Sequence, residues 1–345
     1  MLIPRAYRPK SRRRFLLAIS FLTILFLASG LFAALNHRPS DVEMALAPQW
    51  MTSPSDIAPA PKKLPTSIQQ GLPRGLALTA LMPAPEQLLD GKLMLIDESH
   101  PIPKEALPPN TLSIASVGAG RIAVRTVQHA TDEEVILALA ELCTKGRSSG
   151  YSDWLVWEGS RSGAQQLEKQ LERTGLYAQS MPLVQAAEQA AKEVPAPGAS
   201  EHQLPYVVDI RLSAGWNAVP DSAPLGASQS GKFLLDTAWQ YGFIHRYGSR
   251  PSAPYADEAY HFRFVGVAHS TMMHTLNMRL PEYLALLHDK GTLTYYEEDA
   301  PRYAVICKKA SENVSFSLPK GCAWEGSIDN MGYVVLAVTF PREGE

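Results

Sequence analysis

Two short stretches of this chain carry residues whose types and spacing suit metal-assisted hydrolysis. Ser200 to Asp209 reads SEHQLPYVVD, and Glu258 to His261 reads EAYH. Each supplies a histidine and a carboxylate. A catalytic zinc site takes three such protein ligands and keeps a fourth position for water. It also needs a base within reach of that water's proton. His202, Asp209 and His261 are the candidate metal ligands, and Glu258 is the candidate base. By residue type alone, ordinary structural roles fit the same positions. A histidine is often a satisfied surface or core residue, and Asp209-Ile210-Arg211 is an ordinary charged strand end.

The flanking residues add a resemblance. SEHQLPYVVDI resembles the S-x-H-x-x-G-x-A-x-D motif of the VanY-type D-alanyl-D-alanine carboxypeptidases. FLLDTAWQYGFIHRY, at 233–247, resembles that family's W-L-x-x-N-A-x-x-Y-G-F-x-x-R-Y segment. EAYHFRFVG resembles its E-P-W-H-F-R-Y-V-G, and GSRSGAQQ, at 159–166, resembles its G-Y-R-S-x-x-x-Q. The four come in the family's order, and the resemblance runs from about Leu93 to Gly291.

It implies an α+β fold, a hedgehog/DD-peptidase-like zinc peptidase domain with an antiparallel sheet and helices. It implies zinc on His202, Asp209 and His261, with Glu258 as catalytic base. Arg161 would grip the substrate's terminal carboxylate, because a guanidinium fork matches a carboxylate in two bonds. Gln166 and Ser200 would line the substrate site. The implied substrate is a peptidoglycan stem peptide ending in D-alanine, with D,D- and L,D-specificity both open.

The sequence departs from the family pattern at several places. Pro205 replaces the motif glycine, and proline cannot supply a positive φ. Val207 replaces the alanine, Ala259-Tyr260 the Pro-Trp, Ser160 the tyrosine and Phe233 the tryptophan. These changes touch the pocket's shape and spare every ligand and the base. The alternative is a non-catalytic module on the same fold that binds cell wall or protein, although such a module has no physical need for Glu258.

The two motifs meet only if strands near 206–210 and 261–265 lie side by side. Tyr206 to Ile210 is rich in β-branched residues, as a buried strand should be. Further strands are expected at Leu93–Ile96 and Asp153–Glu158. Thr131 to Glu134 reads as a capping box that opens a helix, with Ile136, Leu137, Ala140 and Leu142 at helical spacing. Helices are also expected at Gln165–Thr174, closed by Gly175, at Leu183–Lys192, at Lys232–Tyr241, at Val267–Met278, and after Pro281. His245, His269, His274, Trp239 and Tyr241 read first as structural residues, and Arg246 as one end of a salt bridge.

Outside this region the chain changes character. Residues 1–14 hold six basic residues and no acid, and residues 15–35 are 21 residues without a charge. That run is long enough to span a bilayer as a helix, and the basic cluster would hold its N-terminal side in the cytoplasm. Residues 36–85 are proline-rich and read as a tether, with LPRGLALTALM able to form a short element. The expected organisation is therefore a basic tail (1–14), a transmembrane anchor (15–35), a linker (36–85), a peptidase domain (86–291) and a small β module (292–345). Setting the six N-terminal positives aside leaves a net charge of about -8, and no basic stripe points to nucleic acid. Cys307 and Cys322 flank one expected hairpin and are candidates for a disulfide, with Cys143 free. Asn313-Val314-Ser315 matches a glycosylation sequon and carries no weight beside this resemblance. The anchor implies a type II topology, in which protease added outside intact cells digests the C-terminal domain; complete protection would refute it.

Overall fold

The structure is a computed structural model that describes residues 63–84, 87–88, 91–102, 110–213, 224–247, 260–311 and 314–342. The basic tail, the apolar run at 15–35, the first part of the proline-rich stretch, Glu258, Ala259 and Asn313 lie outside the described residues. Among the described residues no helix is long and apolar enough to cross a membrane.

The described chain is α+β. Strands β1 (Ile68–Gln70) and β2 (Leu78–Leu81) come first, then a short ladder of β3 (Leu112–Ser113) and β4 (Ala130–Thr131). The helix Glu133–Ser148 follows, then β5 (Trp154–Glu158). Two helices, Gly163–Tyr177 and Leu183–Ala191, pack together before β6 (Val207–Leu212). The helix Gln229–Thr237 leads into β7 (Phe243–His245), and β8 is His261–Phe264. Helices Val267–Leu276 and Leu280–Lys290 precede β9 (Thr292–Glu297), β10 (Ala300–Lys309), β11 (Phe316–Pro319), β12 (Ala323–Ile328) and β13 (Tyr333–Thr339).

Two antiparallel sheets organise these elements. The first has the order β5-β6-β8-β7, and the second has the order β1-β9-β10-β13-β12. Ile136, Leu139, Val156, Val208, Ile210 and Phe262 form the core between the first sheet and the helix Glu133–Ser148. Tyr283, Leu284 and Leu287 lie with Leu293, Val305 and Val335 in a second core, on one face of the second sheet. Fully burying each such side chain contributes about 1.5–3 kcal/mol.

Several expectations shift locally. The helix at 133 is capped by Asp132, whose Oδ1 accepts from the Glu134 N–H at 2.9 Å. Thr131 is drawn away because its hydroxyl donates to the Pro205 carbonyl at 2.6 Å. Leu137, expected on the apolar face, is 47% exposed, while Ile136, Ala140 and Leu142 are buried. The next helix is capped by a full Ser162/Gln165 box and runs through Gly175 to Tyr177. An interior glycine costs only about 1 kcal/mol, and here Tyr177 bonds to Glu193 beyond the neighbouring helix, which extends the last turn.

Leu93–Ile96 is buried but is not a strand. Its backbone pairs with side chains instead. Leu93 N donates to Ser327 Oγ at 3.2 Å, and Leu95 N donates to Asn330 Oδ1 at 3.0 Å.

The expected tether and β module also differ from what forms. β1 pairs with β9, and β2 pairs with β11, so residues 68–70 and 78–81 of the proline-rich stretch are sheet partners. The C-terminal strands therefore make one unit with chain that precedes the site region. Ile68 is 2% exposed within the second core, which is the apolar burial that holds β1 there.

The disulfide does not form. Cys143, Cys307 and Cys322 are all free. Cys307 lies opposite Val335, and Cys322 directly precedes Ala323, which lies opposite Thr339. The two are thus about five residues, roughly 17 Å, apart along β13, far beyond the ~7 Å that a bridge allows. They also join different cores. Burial pushes the Cys143 and Cys307 thiols up to about 12. The expected outcome is three titratable thiols in denaturant without reductant, and rapid native labelling of Cys322 alone. A peptide map containing a Cys307–Cys322 link would contradict the register.

Candidate metal and substrate site

The site is built on the pairing of β6 with β8, which places Asp209 opposite His261. His202 enters from a short 3-10 turn, Glu201–Gln203, just before β6. The three candidate metal ligands are buried, and one donor atom from each lies within 4.8 Å of the others. Asp209 Oδ1 is the centre of this group, 3.3 Å from His202 Nε2 and 3.0 Å from His261 Nδ1. These are the donor atoms that face one another.

Each histidine is held by its other nitrogen. His202 Nδ1 lies 2.7 Å from the Gly159 carbonyl. A carbonyl only accepts, so Nδ1 carries the hydrogen and Nε2 keeps its lone pair for the site. Glycine is needed at 159, since a Cβ there would sit 2.6 Å from the Ala130 carbonyl. His261 Nε2 lies 3.2 Å from Glu201 Oε2. Glu201 Oε1 in turn accepts from Arg246 Nε at 2.8 Å and faces Arg263 Nη1 at 3.5 Å. Arg246 therefore has the salt-bridge role expected of it.

The protonation pattern follows from these neighbours. Burial alone would push Asp209 up, but the charge and hydrogen bond of His202, with those of His261, hold it well below the usual carboxylate range. Burial likewise opposes ionisation of Glu201, and the charges of Arg246 and Arg263 override it. His202 is lowered, first by burial and then by the Arg161 charge. His261 moves the other way: burial pushes it down, yet hydrogen bonds and charge from Asp209 and Glu201 hold it at about 9.

Arg161, Ser200, Glu201, His202, Asp209, Tyr247 and His261 all line one pocket. The Arg161 backbone N–H donates to the His202 carbonyl at 2.6 Å, which ties the two motifs together. Its side chain is held by Glu158, with Nε to Oε1 at 3.0 Å, and by Gln166, with Nη1 donating to Oε1 at 2.6 Å. Gln166 does not line the pocket. It is fully buried, and its amide is used on Arg161 and the Pro195 carbonyl, so it acts through Arg161. Lys169, Glu193, Val194 and Pro195, from the helical pair 163–191 and the turn after it, close the adjoining wall.

Of the altered positions, Pro205, Phe233 and Tyr260 are among the described residues, while Ala259 lies outside them. Among the described residues, positive φ outside glycine occurs only at Ala119, Asn277, Glu298, Asp299 and Asn330, so Pro205 is unstrained. Phe233 packs beside Tyr151 and Trp154. Tyr260 is 5% exposed, with Arg211 stacked 4.4 Å from its ring. His269 is buried against the Tyr283 hydroxyl, and His274 stacks on Trp239, so neither joins the donor group. His245 stacks on Phe262, while Tyr247 packs against His261.

Sequence reasoning missed Glu201, Glu158, Lys169 and Tyr247. The adjacency of Glu201 to His202 was the one available signal, and i,i+1 neighbours gave no reason to expect Glu201 behind a histidine 60 residues away.

Residues 128–267 match the model of the VanY family, described as D-alanyl-D-alanine carboxypeptidase. The chain is 24% identical over 263 residues to a D-alanyl-D-alanine carboxypeptidase of Enterococcus faecium, covering 74% of this chain and 77% of that protein. It is 26% identical over 196 residues to one of Enterococcus faecalis, covering 56% of this chain and 65% of that protein. The crystal structure of the vancomycin resistance D,D-dipeptidase VanXYg, in complex with a D-Ala-D-Ala phosphinate analogue, matches with a TM-score of 0.60 at 18% identity. That match covers 76% of this chain and 100% of the other, and it shows a shared fold.

The raised His261 pKa makes a prediction for the metal-free protein. A group whose folded pKa lies above its unfolded value stabilises fully below the unfolded value, here about 6.5 for imidazole, and the contribution is lost as pH rises through about 9. Chelator-treated protein should therefore lose up to about 3 kcal/mol of unfolding free energy across that window. Urea titrations should show the loss in the wild type and a flatter profile in His261→Gln; equal slopes would contradict the arrangement.

Proposed function

Residues 128–267 match the VanY family model, and from that premise we propose that this chain is a zinc-dependent carboxypeptidase that removes the C-terminal D-alanine from peptidoglycan stem peptides. The observation that carries the reading is the buried group His202, Asp209 and His261, with its donor atoms within 4.8 Å, in a pocket that Arg161 also lines. Two imidazole nitrogens and one carboxylate oxygen fit zinc with one position left for water. When bound there, zinc supplies Lewis acidity and brings the pKa of its water to about 7.

The remaining roles belong to the chain. Glu258, three residues before His261, takes the proton of the attacking water and passes it to the leaving amine. The Arg161 guanidinium holds the substrate's terminal carboxylate, which directs the reaction to the last peptide bond. Gln166 and Glu158 keep that guanidinium in place, and Ser200 forms part of the pocket wall. His202 would hold the metal through Nε2, because the Gly159 carbonyl accepts its Nδ1–H. We further assign the chain to the outer face of the membrane, anchored by residues 15–35, where its substrate lies.

Variants separate these roles. Glu258→Gln should keep one zinc and lose about 10²–10⁴ in turnover of a peptide ending in D-alanine. His261→Ala should lose both metal and activity, as should chelation of the wild type. Arg161→Ala should keep zinc and lose roughly 10–100-fold in kcat/KM, since a hydrogen bond to a charged group contributes about 1.5–3 kcal/mol. It should discriminate far less between free and amidated C-termini. A wild type that binds zinc yet cleaves no stem peptide would point instead to a wall- or protein-binding module.

A further inference from the structure

Beside the donor group lies a second, buried set of charges whose side chains pair with one another. Glu201 has a side chain 1% exposed, and Arg263 has one that is 0% exposed. Desolvating one such charge costs several kcal/mol unless good partners compensate it. The partners here converge on one direction. Glu201 Oε1 accepts from Arg246 Nε at 2.8 Å and faces Arg263 Nη1 at 3.5 Å, which leaves Oε2 for His261 Nε2 at 3.2 Å.

Arg263 is itself pinned. Its Nη2 lies 3.0, 3.1 and 3.3 Å from the carbonyls of Gly91, Lys92 and Met94. That loop is fastened to the second sheet through Ser327 and Asn330. A carboxylate held this way can only accept. Asp209 Oδ1, 3.0 Å from Nδ1, likewise only accepts, so the metal-free ring carries a hydrogen on both nitrogens; a metal held at Nδ1 would displace that hydrogen and leave the Nε2–H with Glu201.

We propose that Glu201 is a positioning residue for the metal: clamped by Arg246 and Arg263, it fixes the His261 ring so that Nδ1 is the ligating nitrogen. Arg263 carries the same constraint out to the loop at 91–94, so the C-terminal sheet braces the metal centre from behind. The proposal rests on the metal-site reading above and deepens it.

The test uses the full chain loaded with zinc. With ¹⁵N-labelled histidine, wild-type NMR should show His261 protonated at Nε2 and metal-bound at Nδ1; the reverse would overturn the proposal without any substitution. Zinc affinity by chelator competition should fall about tenfold in Glu201→Gln, which keeps an acceptor for Nε2–H but no charge. It should fall toward 100-fold in Glu201→Met, which keeps neither. Both variants are first checked for a native circular dichroism spectrum. Zinc affinity equal to wild type in folded Glu201→Met would overturn the positioning role and leave the metal site standing. A wild type with no stoichiometric zinc would overturn both.

Discussion

The molecule depends on one register. Asp209 and His261 are 52 residues apart in the chain, and the antiparallel pairing of β6 with β8 sets them directly opposite each other. Slipping either strand by one residue would turn its side chain to the other face of the sheet. The buried carboxylate would then lose the imidazoles that keep it ionised. Phe262 and Val208, fully buried and opposite one another, supply the apolar packing that holds this register from the other face.

The charges in the site are balanced by mutual proximity and not by water. Asp209, Glu201, His261, Arg246 and Arg263 are all buried, and each meets an opposite charge within hydrogen-bonding or near-hydrogen-bonding distance. In a medium of low effective dielectric such a set is cohesive when complete and costly when one member is missing. This is why His261 and Asp209 move so far from their ordinary pKa values in opposite directions. The arginine that lines the pocket has its side chain held by other groups, Glu158 and Gln166, so the donor group and the Arg161 side of the pocket are organised by different side chains.

The second sheet belongs to this arrangement more closely than its place at the C-terminus suggests. Lys92 bonds Glu325 on β12 at 2.8 Å and Glu134 on the first long helix at 2.7 Å. Leu93 is tied to Ser327 on the same strand, β12, and Leu95 to Asn330 just after it. The segment at 91–95 is thus a buried connector between the two sheets. It satisfies its backbone with side-chain amides and hydroxyls instead of a strand ladder, as buried polar groups require.

Much of the site was legible in residue order. His202, Asp209 and His261 are donors of the types a metal takes, but the resemblance of their flanking motifs to the VanY-type family is what singles them out and adds Arg161, while the β-branched run at 206–210 marks a strand by local sterics. The helices were found by apolar periodicity, which is also local. What local patterns could not reach was decided by pairing across long separations. β1 took the edge beside β9 and β2 formed a two-stranded sheet with β11, each partner more than 200 residues away. The Thr131 hydroxyl left its helix for the Pro205 carbonyl. Cys307 and Cys322 look close along a hairpin, yet the strand register keeps them apart. Glu201 shows the same limit most directly: its neighbour in sequence is one metal-ligand candidate, but its side chain meets another, His261, brought beside it only when the strands and arginines close around a buried charge.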